Sequence, residues 1–215
     1  MSLKHIQEKL QDIYEIDTGY TVSDFVFTDE KIKQCLDKTG NNVRETVYVQ
    51  KRDNYLDISV YLHADVIDHL ERDDPHAGLH SGNIEDFFLV AEGISHFIGL
   101  VWHGSYNRPV SLLELELQAE IDKFVLVNSF PDCRLSGEKT RQLHTLLFEA
   151  VEFHSDLNEL EQKRYQDANF YAGKYCRALE RTYLTKDDAR RMLNELRRFY
   201  RLSLANKLHH ISRLN

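Results

Sequence analysis

The middle of the chain contains two pairs of side chains that could bind a metal ion, and the members of each pair are four residues apart. Glu92 and His96 are four residues apart, so on a helix both project from one side, about 6 Å apart along the axis. Glu116 and Glu120 repeat this spacing further along the sequence. Three carboxylates and one imidazole that converge inside a helix bundle would suit Fe, Mn or Zn. The sequence therefore predicts a candidate divalent-metal site at Glu92, His96, Glu116 and Glu120.

The same four residues have a simpler interpretation, which we favour. Glu92 and His96 would form hydrogen bonds with each other or with the backbone, and Glu116 and Glu120 would face water. The set resembles di-metal carboxylate bundles only in residue type, because the Glu-x-x-His motif of those proteins does not occur in this chain. On this interpretation no cofactor is needed, and a divalent metal is the alternative.

The other histidines lack the spacing of metal ligands. His103 lies seven residues beyond His96, about 10.5 Å along a helix, so it cannot share a metal ion with Glu92, and we expect it to face solvent near a helix end. Four further histidines are each expected to be satisfied within the core or in a loop, and these are His76, His80, His144 and His154.

A second candidate site is the basic C-terminal segment. From Thr185 onward the sequence has eight lysines and arginines against three acids, although the whole chain has a net charge of −8. This asymmetry predicts that the segment meets an acidic surface. The surface could belong to a protein partner or a phosphate-bearing ligand, or to the acidic body of the chain itself. The candidate partner-binding residues are Arg190, Arg191, Arg197, Arg198 and Arg201.

Composition excludes several classes of function. The net charge of −8 disfavours binding to duplex DNA or to a membrane surface. No nucleophile elbow, P-loop, dinucleotide fingerprint or His-Glu-x-x-His motif is present, so no motif indicates an enzyme.

The cysteines indicate the cellular compartment. The chain has three of them, Cys35, Cys133 and Cys176, which is an odd number, and none lies close to another in sequence. This pattern fits a reducing cytosol. Without a signal-like or membrane-spanning run, we expect a cytoplasmic protein.

The elements that must position these residues are mostly helical. The run 87–102 is apolar nearly all round, apart from a narrow arc that contains Glu92 and His96, which is typical of the buried centre of a bundle. Asn83 is a plausible N-cap for this helix. Ser111 with Glu114 and Asn158 with Glu161 predict capping boxes, and Thr185 is expected to cap the last helix. Hydrophobic periodicity predicts further helices over 3–15, 28–36, 64–72, 112–127, 138–154 and 158–184.

One β-hairpin is predicted before the central helix. Residues 56–62 alternate apolar and polar side chains, with Leu56, Ile58, Val60 and Leu62 on the buried face. Residues 45–51 form the partner strand, and 52–54 form the turn. Because an isolated hairpin is marginal in water, it must lie against helices or gain a third strand from residues 20–27.

These elements predict a mainly helical α+β fold, in which a bundle of about five longer helices has a β-hairpin at residues 45–63 packed at one side. We expect a single domain over 1–215, with an N-terminal helix and hairpin portion at 1–72 and the helical bundle at 83–215. Nothing in the sequence indicates the oligomeric state.

The absence of motifs and the uneven charge favour a non-catalytic interaction or adaptor protein. The alternative is a metal-binding bundle protein or a metal-dependent enzyme that uses the Glu92, His96, Glu116 and Glu120 set. The third hypothesis is a small-ligand binder with a pocket beside those residues.

Overall fold

The computed structural model describes residues 2–36, 43–53, 55–129, 137–150 and 158–214. Most of these residues are helical and the sheet is small and mixed, which confirms the predicted α+β, mainly helical class. Cys133, His154 and the end of the predicted helix 138–154 lie outside the described residues. The helices are α1 (Leu3–Tyr14), α2 (Glu30–Leu36), α3 (Ala64–Arg72), α4 (Ile84–Ser105), α5 (Leu112–Ser129), α6 (Gly137–Phe148), α7 (Glu159–Thr182), α8 (Ala189–Tyr200) and α9 (Leu204–Ser212).

The chain divides into two compact units. The first comprises Met1–Lys9 with Asp17–Pro109, and the second comprises Leu10–Ile16 with Val110–Asn215. Helix α1 therefore contributes its first residues to one unit and its last residues to the other. Helix α4 belongs to the first unit, with the strands. The single domain over residues 1–215 remains a prediction.

The sheet of the first unit confirms the hairpin and adds the third strand. Strands β2 (Glu45–Arg52) and β3 (Tyr55–Leu62) are antiparallel, and β1 (Val26–Phe27) pairs in parallel with β3, in the order β1-β3-β2. On β3 the predicted alternation is wrong at two positions. Leu56 is 39% exposed because it lies near the hairpin turn, and Tyr61 is fully buried with the Lys33 ammonium 5.3 Å from its ring centre.

Helix α4 is buried, as its sequence predicts, but it belongs to the core of the first unit with the strands and not to the unit of the later helices. It lies against β2, β3 and α3. Phe97 and Ile98 are at most 2% exposed, and Leu100 and Val101 are also buried. The Phe97 ring lies 4.9 Å from that of Phe25, measured between ring centres. A helix that is apolar on most sides can therefore pack against a sheet and a second helix at the same time.

The helix starts are only partly as predicted. Asn158 and Glu161 form both hydrogen bonds of a capping box, which confirms that prediction. Ser111 Oγ accepts from the Glu114 amide at 3.2 Å, but the Glu114 carboxylate forms a buried ion pair elsewhere. Asn83 does not cap α4 with its side chain, because its amide group binds the preceding loop at His80 N and Gly78 O.

The predicted last helix is two helices. Asp188, not Thr185, caps α8, because its side chain accepts from the Arg191 amide. Thr185 lies in the short 3-10 helix Leu184–Lys186 that precedes the cap. The chain then leaves the helical conformation after Tyr200 and starts α9 at Leu204. Among the described residues, none of the helices combines the length and the apolarity that crossing a membrane requires.

Candidate metal centre

Three side chains that can bind a metal ion come together in the first unit. Glu45 comes from the start of β2, and Glu92 and His96 come from α4. Each offers one donor atom, and these atoms all lie within 4.8 Å of one another. Glu45 Oε1 and His96 Nε2 are both shielded from solvent. Together the three residues form the Glu45–Glu92–His96 triad.

Two neighbouring elements bring the triad together. Glu92 and His96 are one turn apart on α4, so their side chains leave the helix on the same side. Glu45 is held opposite Leu62 in the antiparallel ladder, and both β2 and β3 lie against α4. The ladder therefore fixes the backbone of Glu45, and the helix fixes the backbones of the other two donors.

Gly93 makes room for the Glu45 side chain on the surface of α4. A Cβ atom at position 93 would lie 3.0 Å from Glu45 Oε1 and 3.2 Å from Val60 Cγ1. These distances are shorter than ordinary van der Waals contacts, so a side chain at position 93 would require the Glu45 carboxylate and the Val60 methyl group to shift by a few tenths of an ångström. Gly93 therefore lets a strand residue approach the helix closely enough to join Glu92 and His96.

The donor set has a definite chemistry. Two carboxylate oxygens and an imidazole nitrogen are ligands that Zn²⁺, Mn²⁺ and Fe²⁺ accept, and thiolate, which selects softer ions, is absent from the triad. Two carboxylates at this separation repel each other, and a low local dielectric strengthens that repulsion. A divalent cation would convert the repulsion into attraction.

The structure brings two of the four predicted ligands together and gives each of the other two a cationic neighbour. Glu92 and His96 belong to the triad. Glu116 and Glu120 belong to the second unit, where Arg164 Nε lies 3.9 Å from Glu116 Oε1 and Lys123 Nζ lies 2.8 Å from Glu120 Oε1. The four-residue site across α4 and α5 remains a prediction.

Helical spacing predicts Glu92 and His96 but does not predict Glu45, because Glu45 lies on a strand. The signal that could have found it is the period of two in a strand. Glu45 lies two residues before Val47 and four before Val49, so all three share one face of β2. A carboxylate on the apolar face of a strand next to a buried helix needs a partner, and this marks Glu45 as a candidate site residue.

Of the other histidines that the structure describes, two follow the prediction and one contradicts it, while the prediction for His154 lies outside the described residues. His80 Nε2 forms a 3.2 Å hydrogen bond with Asp73 Oδ1, and His144 Nε2 donates to the Gly173 carbonyl at 2.9 Å. Both side chains are therefore satisfied as expected. The His76 ring lies 4.4 Å from that of His5, and its pKa is lowered by burial and then by this neighbour. The prediction for His103 is wrong, because its side chain is 6% exposed and not on the solvent side of α4.

Four of the five candidate partner-binding arginines contact groups of the chain itself. Arg191 pairs with Asp188, and Arg198 pairs with Glu195, each three residues away on the same segment. Arg197 pairs with Glu15 at 2.7 Å, and Arg201 donates to backbone carbonyls of the same region. Arg190 is exposed. Partner binding by these residues remains a prediction.

The contacts of Arg197 and Arg201 explain part of the positive charge of α8. The last four carbonyls of a helix have no partner within that helix. Arg197 Nε donates to Ile13 O at 3.0 Å, and Arg201 donates to Tyr14 O at 2.9 Å and Glu15 O at 3.0 Å. Both guanidinium groups thus satisfy the C-terminal end of α1, where a positive charge also suits the helix dipole. Part of the charge asymmetry is therefore internal complementarity.

A buried polar network occupies the inner side of α5 in the second unit. Gln118 Nε2 donates to Asp122 Oδ1 at 2.8 Å and to Tyr14 Oη at 3.0 Å, and Tyr14 Oη donates to Asp122. Lys207 Nζ forms an ion pair with Glu114 Oε1 at 3.0 Å and a 3.4 Å hydrogen bond to Gln118 Oε1. The polar side chains of Glu114, Gln118 and Asp122 thus point into the structure.

Tyrosines in this region make stability sensitive to alkaline pH. Burial raises the pKa of Tyr14 and of Tyr200 well above the ordinary value, and the Asp122 carboxylate raises both further. The unfolded chain releases these protons near pH 10, whereas the folded chain retains them. The resulting stability is present in full below about pH 10 and is lost as the pH rises towards the raised values.

We therefore expect the urea midpoint to fall steeply as the pH rises above about 10, and Tyr14→Phe to reduce that slope. An unchanged slope in the variant would contradict the assignment. Tyr20→Phe is the matched control, because Tyr20 is 59% exposed.

A cleft of about 320 Å³ lies between α6 and α7 in the second unit. Arg177 crosses it, with contacts to Glu149 at 2.6 Å and to His144 Nδ1 at 3.0 Å. None of the four predicted metal ligands lines this cleft. The pocket predicted beside those residues for a small ligand is therefore a different place from this one.

Comparison of the chain with family models, with curated proteins and with solved structures finds no match. The interpretation of the site consequently depends on its own geometry.

Proposed function

We propose that the protein binds one divalent transition-metal ion at the Glu45–Glu92–His96 triad. The observation that supports this proposal is the convergence of three donor atoms, from a strand and a helix, within 4.8 Å of one another. In a bound state the donors would lie about 2.0–2.2 Å from the ion. Tetrahedral donors at that distance are about 3.4 Å apart, so small side-chain rotations are enough to close the site.

The donor set favours an open metal centre. Structural zinc sites use four protein ligands, whereas catalytic sites use three and leave a position for water or substrate. The triad offers three ligands with a combined charge of −2 when His96 is neutral, and Zn²⁺, Mn²⁺ or Fe²⁺ would neutralise this charge. Glu92 and His96 belong to the metal-binding set that the sequence predicts, and Glu45 takes the place of Glu116 and Glu120.

Metal titration of the chelator-treated protein tests the proposal. We expect the wild type to bind one Zn²⁺ ion per chain in competition with a chromophoric chelator. Binding should raise the melting temperature, because a ligand at 100 times its Kd stabilises the folded state by about 2.7 kcal/mol. His96→Ala should abolish stoichiometric binding and should change the melting temperature more with metal than without it.

Two matched variants separate the triad from the four-residue set. Glu45→Gln should weaken Zn²⁺ binding strongly because it removes a charged donor, whereas Glu120→Gln should leave the affinity unchanged. The opposite pattern would support the site at Glu92, His96, Glu116 and Glu120. If the wild type binds none of Zn²⁺, Mn²⁺ or Fe²⁺ and chelator has no effect on its melting, the metal-binding function is wrong, and hydrogen bonding accounts for these residues.

The interaction or adaptor function remains a second prediction. Two observations support it. Arg190 is exposed, and α7 carries two large apolar side chains that are also exposed, Leu160 to 81% and Phe170 to 64% of the full accessible surface.

A further inference from the structure

A second group of polar side chains lies at the start of α4, in its first turn. Asp86 is buried, and its two carboxylate oxygens bind two different cationic or potentially cationic groups. Arg44 Nη2 lies 2.7 Å from Oδ1, and His69 Nδ1 lies 2.6 Å from Oδ2. These three residues connect the start of β2, helix α3 and helix α4 within the first unit.

Arg44 immediately precedes the triad residue Glu45. The Arg44 carbonyl accepts from the His63 amide at 2.8 Å, and Glu45 follows as the first residue of the ladder, opposite Leu62. The start of β2 is therefore tied to the end of β3 by its backbone and to α4 by the Arg44 guanidinium. Loss of the Arg44–Asp86 ion pair would remove this side-chain link between the start of β2 and α4.

The contact points on α4 lie on one face of the helix. Asp86 and Gly93 are seven residues apart, which is close to two full turns and about 10.5 Å along the axis. Arg44 reaches the first of these positions with its long side chain, and the Glu45 carboxylate lies over the second. Arg44 and the first residue of β2, Glu45, thus contact the same helix face at two separate points.

We infer that the Arg44–Asp86 ion pair is a positioning device that holds Glu45 in the triad. This inference rests on the proposed metal-binding function. Holding a ligand in place before the ion arrives lowers the entropic cost of binding, and residues that orient metal ligands typically contribute 10–100-fold to affinity. Asp86 and Arg44 act through Glu45 and do not themselves bind the ion.

Three single variants test the inference through Zn²⁺ affinity. Arg44→Gln and Asp86→Asn each break the ion pair, and we expect each to weaken binding about 10–100-fold. His69→Gln is the matched control because it removes the other partner of Asp86 and leaves Arg44 in place, so its affinity should equal that of the wild type. Arg44→Lys should restore part of the affinity, since it returns a cation to Asp86.

Two further measurements separate positioning from loss of stability. The melting temperature of each variant in chelator reports on folding alone. The visible spectrum of the Co²⁺-loaded protein reports on the coordination of the ion, and we expect it to change in Arg44→Gln and Asp86→Asn but not in His69→Gln. The double variant Arg44→Gln/Asp86→Asn should be no weaker than either single variant, because both remove the same link.

The outcomes separate the proposed metal-binding function from the positioning role of Arg44 and Asp86. A wild type without metal affinity overturns the proposed function and this inference with it. A wild type that binds Zn²⁺, with Arg44→Gln and Asp86→Asn equally tight and spectrally unchanged, overturns the inference alone. Equal weakening by His69→Gln also overturns it, because the effect would then come from the packing of Asp86 and not from Arg44.

Discussion

Replacing Phe97 with alanine is expected to lower the free energy of unfolding by about 3–5 kcal/mol, the usual range for a buried phenylalanine. The side chain is fully buried on α4, and its ring lies 4.9 Å from that of Phe25. The loss combines the transfer of a large apolar side chain with the cavity left between α4 and its neighbours. Urea denaturation followed by circular dichroism measures it.

The matched control is Phe170→Ala on α7. Phe170 is 64% exposed, so this variant should change stability by no more than about 0.5 kcal/mol. A loss below about 1 kcal/mol for Phe97→Ala, well outside the usual range, would show that α4 is not the centre of the first unit.

Replacing Lys207 with methionine is expected to cost about 3–5 kcal/mol in the second unit. Lys207 is 2% exposed, and it forms an ion pair with Glu114, whose side chain is only 6% exposed. Methionine keeps most of the volume but leaves the Glu114 carboxylate buried without its cation. It also removes an ammonium group that lies 5.7 Å from the ring centre of Phe199 and 5.6 Å from that of Tyr200.

The partner variant makes this prediction specific. Glu114→Gln added to Lys207→Met should recover stability, because the charge that was left unpaired is then removed as well. Lys163→Met is the control, since it breaks an exposed pair with Asp167 and should change stability by less than about 1 kcal/mol. A double variant that is less stable than Lys207→Met would contradict the buried-charge explanation.

Hydrophobic periodicity predicted the elements well where one face had to be buried. The apolar run of α4 predicted the helix, and the alternation of β3 predicted the hairpin. Each pattern shows which side chains must be buried, and only one type of element can bury them together. The ends were less predictable. Asparagine is a preferred residue at an N-cap, but the side chain of Asn83 forms hydrogen bonds with loop groups of His80 and Gly78. Only the tertiary structure decides between such partners.

The candidate site was half predictable for a related reason. Glu92 and His96 share a helix, so their proximity follows from spacing alone. Their neighbour Glu45 comes from a strand far away in sequence, and the contact requires Gly93 and the strand register together. Similarly, helical spacing places Glu114, Gln118 and Asp122 on one face of α5. It does not show that Tyr14 and Lys207 meet that face.

The contacts that hold the end of α1 have a consequence for the order of events during synthesis. Arg197 and Arg201 reach carbonyls that lie 184 and 187 residues earlier in the chain. At a translation rate of about 5–20 residues per second, the carbonyls at the end of α1 emerge roughly 10–40 s before these arginines exist. During that interval the second unit cannot be completed, and Tyr14 lacks the Tyr200 ring that stacks on it in the folded chain, with 4.4 Å between the ring centres. Nascent chains stalled before residue 197 should therefore leave Tyr14 open to modification, whereas released full-length chains should protect it.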